Sequence, residues 1–217
     1  MTTIELADYV SRQINLFFPD NEPVTSGQVA AILSSTLQRL EICLSACVMK
    51  YFQRDGRPYF NHLHSDQYAM FLYLLGSTAH RTGDPRLAGL ASKSYLLNKA
   101  LHGLDLFYEV NLPEIFCLAH PVGTVLGRAH YANYFVAMQG CSVGNIGGHY
   151  PKFGEKVVLC SQAAVLGDCD FGDEVCVGAG SLIMNTKVPG NSTVVGRAQE
   201  VRILENRGDF WKQFFHA

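Results

Sequence analysis

The chain has 217 residues, 48% of them hydrophobic and 17% charged, with a formal net charge of -2. That is enough apolar material for one large domain or two small ones, and the composition is not that of a disordered segment. No basic run or stripe is present, which argues against nucleic acid as a partner, and no apolar stretch reaches the roughly 18 residues a membrane span needs.

Met1–Val10 shows no basic segment followed by an apolar core, so a secretory signal is not expected and the cytoplasm is the expected compartment. The seven cysteines, at 43, 47, 117, 141, 160, 169 and 176, include no CxxC pair. They read as reduced packing thiols.

Residues 1 to about 110 read as a helical domain. Apolar residues from Val29 through Leu33, Leu37, Leu40 and Leu44 recur at three and four, with Thr25 or Ser26 as the cap of that helix. A second helix is expected from Asp66 to Ala79, capped by Ser65, and a third from Pro85 to Leu104, ending near His102-Gly103. Arg54–Pro58 and Thr82–Pro85 carry the Gly, Pro and Asp of connecting loops. From about Val110 glycine becomes frequent and helical spacing disappears.

From Phe153 to Val195 the chain repeats every six residues: Phe153, Leu159, Val165, Phe171, Val177, Ile183, Pro189, Val195. Four residues after each apolar one comes a mostly small or β-branched residue, as at Val157, Ala163, Cys169, Val175 and Ser181. A period of six fits no α-helix and is too short for a hairpin. It fits a parallel β-helix in which one inward residue per hexad stacks into a continuous core and three hexads close a triangular coil. Asn145–Pro151 breaks the pattern. The domains are therefore expected at 1–110 (helical), 111–200 (β-helix) and 201–217 (tail). The tail's Phe210, Trp211, Phe214 and Phe215 are too apolar to stay in water; they read as a short helix over the open solenoid end or against another subunit.

At these residues the chain resembles serine acetyltransferases, within the hexapeptide-repeat acyltransferases. The resemblance runs over roughly Val110–Arg197. It is carried by Tyr150-Pro151-Lys152-Phe153, by Val157–Gly167, by Val177-Gly178-Ala179-Gly180-Ser181, and upstream by His120–Gly127 and Gln139–Gly144. It implies an α+β fold, helices followed by a left-handed parallel β-helix, and transfer of an acetyl group from acetyl-CoA to the hydroxyl of a small acceptor. A homotrimer or a hexamer built as a dimer of trimers is implied, with no metal. Three departures bear on the acceptor. Ala119 stands where the family has an acidic residue, His149-Tyr150 where it has Arg-His, and the loop at Gly144–Gly148 is shorter. Serine and a sugar or glycan precursor both stay open as acceptors.

Such a transfer needs a base for the hydroxyl, a donor for the oxyanion and a slot for the thioester. The resemblance makes His120 the base. It puts Asn111 where an orienting aspartate is expected, with Glu109 and Glu114 as acidic rivals. Asp66, Gln139, His149 and Tyr150 are expected to meet the acceptor. Gly144, Asn145, Ser161 and Ala179 match coenzyme contacts, and Lys187 and Arg197 are placed to meet its phosphates. Ser161 and Ala179 are eighteen residues apart and should stack in successive coils. Two rival readings are a non-catalytic trimeric scaffold and a zinc hydratase using His120, His130 and His149.

Overall fold

The computed structural model describes residues 1–216. Four helices open the chain: α1 (Thr3–Phe17), α2 (Ser26–Ala46), α3 (Ser65–Arg81) and α4 (Ala88–His102). Both α1 and α2 begin on capping boxes, Thr2 with Glu5 and Thr25 with Gln28, in which each side chain satisfies the other residue's backbone N–H. The Thr25 cap is thus as expected, whereas Ser65 is the first residue of α3 and its hydroxyl donates to Asp66 instead. Pro85–Leu87 forms a 3-10 turn ahead of α4, and α4 ends on Gly103 at φ 61. A short hairpin, β1 (Gln53–Arg54) with β2 (Arg57–Pro58), joins α2 to α3. Helix α3 is buried continuously from Asp66 to Ala79 and is the centre of the helical layer.

By length and composition α2 resembles a membrane span. It is a core helix: Val29, Ile32, Leu33, Leu40, Cys43 and Leu44 are buried within the chain.

The solenoid follows in four coils. The first holds β3 (Phe116–Leu118), β4 (Val125–Leu126) and β5 (His130–Tyr131); the second β6 (Phe135–Ala137), β7 (Ser142–Gly144) and β8 (Lys152–Phe153). The third holds β9 (Val158–Leu159), β10 (Ala164–Leu166) and β11 (Asp170–Phe171); the fourth β12 (Cys176–Val177), β13 (Leu182–Met184) and β14 (Lys187–Val188). β15 (Ser192–Val195) starts a fifth turn. Corresponding strands pair in parallel into three sheets, one per face of a triangular prism.

The predicted inward residues Phe153, Leu159, Val165, Phe171, Val177 and Ile183 are all at most 3% exposed. Tyr131, Phe153 and Phe171 stack along one face with ring centroids 5.4 and 5.3 Å apart. The pattern then slips by one. Val188 and Val194, not Pro189 and Val195, point inward, because β14 pairs Lys187 with Asp170 and Val188 with Phe171. Tight corners hold the coils together. A Cβ on Gly172 would lie 2.5 Å from the Gly190 nitrogen, so backbone meets backbone there.

The tail corrects the sequence reading. It is not a short helix: β16 (Arg202–Glu205) turns back antiparallel along β15 and covers the open edge of that sheet, and a 3-10 turn at Phe210–Gln213 follows. Trp211, Phe214 and Phe215 are buried against their own chain. Phe215 packs edge-on to Tyr134, Lys156 sits 4.5 Å above the Trp211 ring, and Val48 donates to the Phe214 carbonyl. The aromatic side chains therefore reach cover without a second subunit, apart from the partly exposed Phe210.

Candidate active site

The solenoid's first coil is docked under α3, and its first corner is wider than those below. Cys117 on β3 pairs with Val136, nineteen residues on, while Val125 on β4 pairs with Ser142, seventeen on. The corner between β3 and β4 thus has two residues more than the one below it. His120 lies in this widened corner with a left-handed backbone, φ 51. A non-glycine residue there carries strain of about 1–3 kcal/mol and needs support.

Asp66 supplies that support. It sits in the first turn of α3, where the helix N-terminus favours a carboxylate, and it is 4% exposed. One oxygen, Oδ2, accepts from the His120 backbone N–H at 3.1 Å and lies 3.5 Å from its Nδ1. The imidazole itself is open to solvent, with 77% of the side chain exposed. With Nδ1 turned to the carboxylate, Nε2 is the nitrogen left to take a proton from an incoming hydroxyl. His102, half-buried nearby, keeps its Nδ1 2.8 Å from Asn98 Oδ1; burial pushes its pKa down, against the pull of the Asp66 charge.

The orienting residues expected from the resemblance lie elsewhere. Asn111 accepts from the Arg81 guanidinium, and Glu109 is 3.1 Å from Arg128. Each is taken by an arginine and neither bonds His120. Glu114 lies in the surface around Arg39 and Arg81 and offers its carbonyl to Cys43. Asp66, expected at the acceptor, is the partner of His120; nothing local in the sequence signals this, because the two are 54 residues apart.

The strand register, carried two residues past β6, β9 and β12, stacks Gln139, Ser161 and Ala179 at one corner of the prism; the widened corner that holds His120 lies above them, with Val122 over Gln139. The stack is sealed from coil to coil by backbone bonds, Gln162 N–H to the Gln139 carbonyl at 2.8 Å and Gly180 N–H to the Ser161 carbonyl at 2.9 Å. The expected alignment of Ser161 with Ala179 is therefore present, with Ala179 exposed. The amide oxygen of Gln139 is buried without a partner. The chain reaches this corner once more at Gly196-Arg197, where Arg197 is exposed.

Gly144, Asn145, His149 and Tyr150 are not at this corner. Gly144 ends β7 and the others follow it, at the far end of the sheet that β4, β7, β10 and β13 form. Ile146 and His149 exchange backbone bonds around Gly147-Gly148, both at positive φ, so the break in the hexad pattern is a closed hairpin tip. Lys187 is exposed on β14, on a third face, in the row His130, Lys152, Asp170, Lys187. One chain thus presents the predicted residues in three places. His120, His130 and His149 are likewise spread over a corner, a strand and a hairpin. Among the described residues no three His, Cys, Asp or Glu side chains form a metal-binding group.

No protein-family model matches the chain. The serine acetyltransferase of Synechococcus elongatus is 31% identical over 105 residues, covering 46% of this chain and 43% of that protein. Serine acetyltransferase 2 of Arabidopsis thaliana is 29% identical over 143 residues, covering 60% of this chain and 43% of its own. In both cases the match spans less than half of the relative's length. Among solved structures, Neisseria gonorrhoeae serine acetyltransferase superposes with a TM-score of 0.71 at 20% identity, over 95% of this chain and 80% of that one. The fold is that of the serine acetyltransferases. The expected architecture, a helical half followed by a left-handed β-helix, is present, and the sequence similarity points to the same group.

Proposed function

We propose that the chain transfers an acetyl group from acetyl-CoA to the hydroxyl of serine or a serine-like acceptor. The observation that carries this is the Asp66–His120 pair at the head of the Gln139–Ser161–Ala179 stack. His120 takes the hydroxyl proton at Nε2 as the oxygen attacks the thioester carbonyl. Asp66 holds the ring and offsets the imidazolium charge as it forms. The proton then passes to the departing thiolate, so that the products are the O-acetyl ester and the free thiol. The small residues of the stack leave room for the coenzyme's pantetheine arm against backbone, and Arg197 lies where its phosphates would end.

A second copy of the chain completes this site in the proposed homotrimer. His149, Tyr150, Gly144 and Asn145 lie at the opposite end of the sheet from His120, so they approach a neighbour's His120 more readily than their own. Lys187 is assigned the weakest part, since its face is shared with neither group.

A second acceptor, a neutral sugar hydroxyl, is favoured by one observation. Ala119, beside His120, is buried and carries no charge to hold an amino group. Thiol release from acetyl-CoA, followed with serine, homoserine, amino sugars and sugar nucleotides, separates the acceptors. His120→Ala should keep the coenzyme and lose transfer by about 100- to 10,000-fold. No turnover with any acceptor in the intact chain would leave the scaffold reading.

A further inference from the structure

A second polar cavity lies away from His120, where α2, α3 and the linker to β3 meet. It has a volume of about 390 Å³ and is walled by Leu74, Leu112 and Pro113, with Arg39 and Arg81 facing into it. Arg39 stands on the inner side of α2, between the buried Thr36 and Cys43. Its guanidinium reaches α3 and donates to Thr78 Oγ1 at 2.7 Å, the Leu74 carbonyl at 3.4 Å and Ser77 Oγ at 3.5 Å. Every one of these acceptors is neutral. Arg81, at the end of α3, donates only to the Asn111 amide oxygen.

Two guanidinium groups therefore line one cavity. Among the described residues no carboxylate lies within 4.0 Å of either one. Glu114 shares the cavity wall but pairs with neither. The same chain treats another inward cation differently: Lys93, 8% exposed, is held by Asp20 at 2.7 Å and by the Glu22 carbonyl at 2.6 Å. A half-buried cation with a like charge beside it is costly unless something neutralises it. Burial, and then the Arg81 charge, push the Arg39 guanidinium below its ordinary range.

We propose that this cavity binds a tetrahedral oxyanion, free or as the terminal phosphoryl group of a small molecule, between Arg39 and Arg81. A phosphate or sulfate presents oxygens in several directions and up to two charges, which suits two forks arriving from different helices; a carboxylate presents a single edge. The volume exceeds that of one such ion, and the apolar walls suit the remainder of an ester. The occupant would also tie α2 and α3 to the linker. That linker is already pinned by the Tyr73 hydroxyl, which donates to the Val110 carbonyl and accepts from Leu112 N–H on the way to His120.

The test is calorimetric and thermal titration of the full chain with inorganic phosphate and with phenyl phosphate, against sodium chloride at matched ionic strength. Saturable binding and a rise in Tm are expected with the phosphates and not with chloride. Arg81 is exposed, so Arg81→Gln should fold and bind about tenfold or more weakly, the loss of charge-assisted hydrogen bonds. Glu114→Gln should bind more tightly, since it removes a carboxylate from the wall. Tighter binding of phenyl phosphate assigns an ester, and equal binding assigns the free ion. No saturation with either probe, or an unchanged Kd in Arg81→Gln, overturns the proposal.

Discussion

Asp66→Asn isolates the contact on which the proposed mechanism rests, because the amide is isosteric and removes only the charge. The His120 Nδ1 lies 3.5 Å from Asp66 Oδ2. A unit pair at that distance is worth about 1.2 kcal/mol in a water-like dielectric and about 4.7 kcal/mol at an effective dielectric of 20. The exposed imidazole argues for the lower part of that range and the buried carboxylate for the upper part. The imidazolium forms only as the proton is taken, so this energy acts on the transition state. Loss of kcat/KM should therefore be roughly 10- to 1,000-fold. The amide oxygen still accepts the His120 N–H at φ 51, so the strained corner keeps its support and the loss reads the charge. The assay is thiol release from acetyl-CoA with serine, alongside thermal melts to show that the variant is folded. Asn111→Ala and Glu109→Gln are the controls, and both should stay near wild type because arginines occupy those side chains. Wild-type turnover in a folded Asp66→Asn chain, or an equal loss in Asn111→Ala, would refute the reasoning.

Other expectations follow from the same geometry. Ala179→Trp should fold, because Ala179 is exposed, and should lose acetyl-CoA affinity measured by calorimetry; unchanged affinity removes Ala179 from the coenzyme slot. Gly172→Ala should destabilise the solenoid by about 1–3 kcal/mol in a denaturant titration, since the new methyl meets the Gly190 backbone at 2.5 Å. Burial pushes the Cys43 thiol up to about 12 and the Cys141 thiol up to about 11. Each is protonated in the fold where the unfolded chain would ionise, so their contribution is complete below the ordinary thiol value near 9.0 and is lost as pH rises toward those values. Tm should fall above pH 9, and Cys43→Ala should flatten that fall; an equally steep fall in the variant would show that other groups set it.

What was legible in the sequence divides by range. The hexads name the core of the solenoid, because each inward residue repeats a local steric requirement, and Leu159, Val165, Val177 and Ile183 are buried as read. The slip to Val188 was not legible, since a corner shorter by one residue looks no different from a polar substitution. The Thr25 cap was legible from three residues; the α1 helix was not separately marked. The tail's need for cover is legible in its aromatic residues, but not its form: a strand, β16, covers the sheet edge, and the aromatic side chains pack on the flank of their own chain, because hydrophobicity states that a residue needs cover and not where the cover is.

The site shows the same division more sharply. The local motif singles out His120, whereas the partners expected for it, Asn111, Glu109 and Glu114, do not bond it here and Asp66 stands beside it instead. The chain must climb from α3 through α4 and the linker before the first coil returns beneath Asp66, so the pair exists only once both halves are docked. Arg39 and Arg81 meet for the same reason, on two helices that the sequence presents as separate amphipathic runs. The period also locates the chemistry by its failures. Coils that keep the eighteen-residue step, such as Val158 to Cys176, turn in tight corners. The two places where residues are added to the hexad are the widened corner holding His120 and the hairpin holding His149, whereas the step at β14 loses one. A solenoid coil that obeys its repeat spends its backbone groups on its neighbours, and the residues added beyond the repeat fall outside that pairing, which is where the proposed chemistry sits.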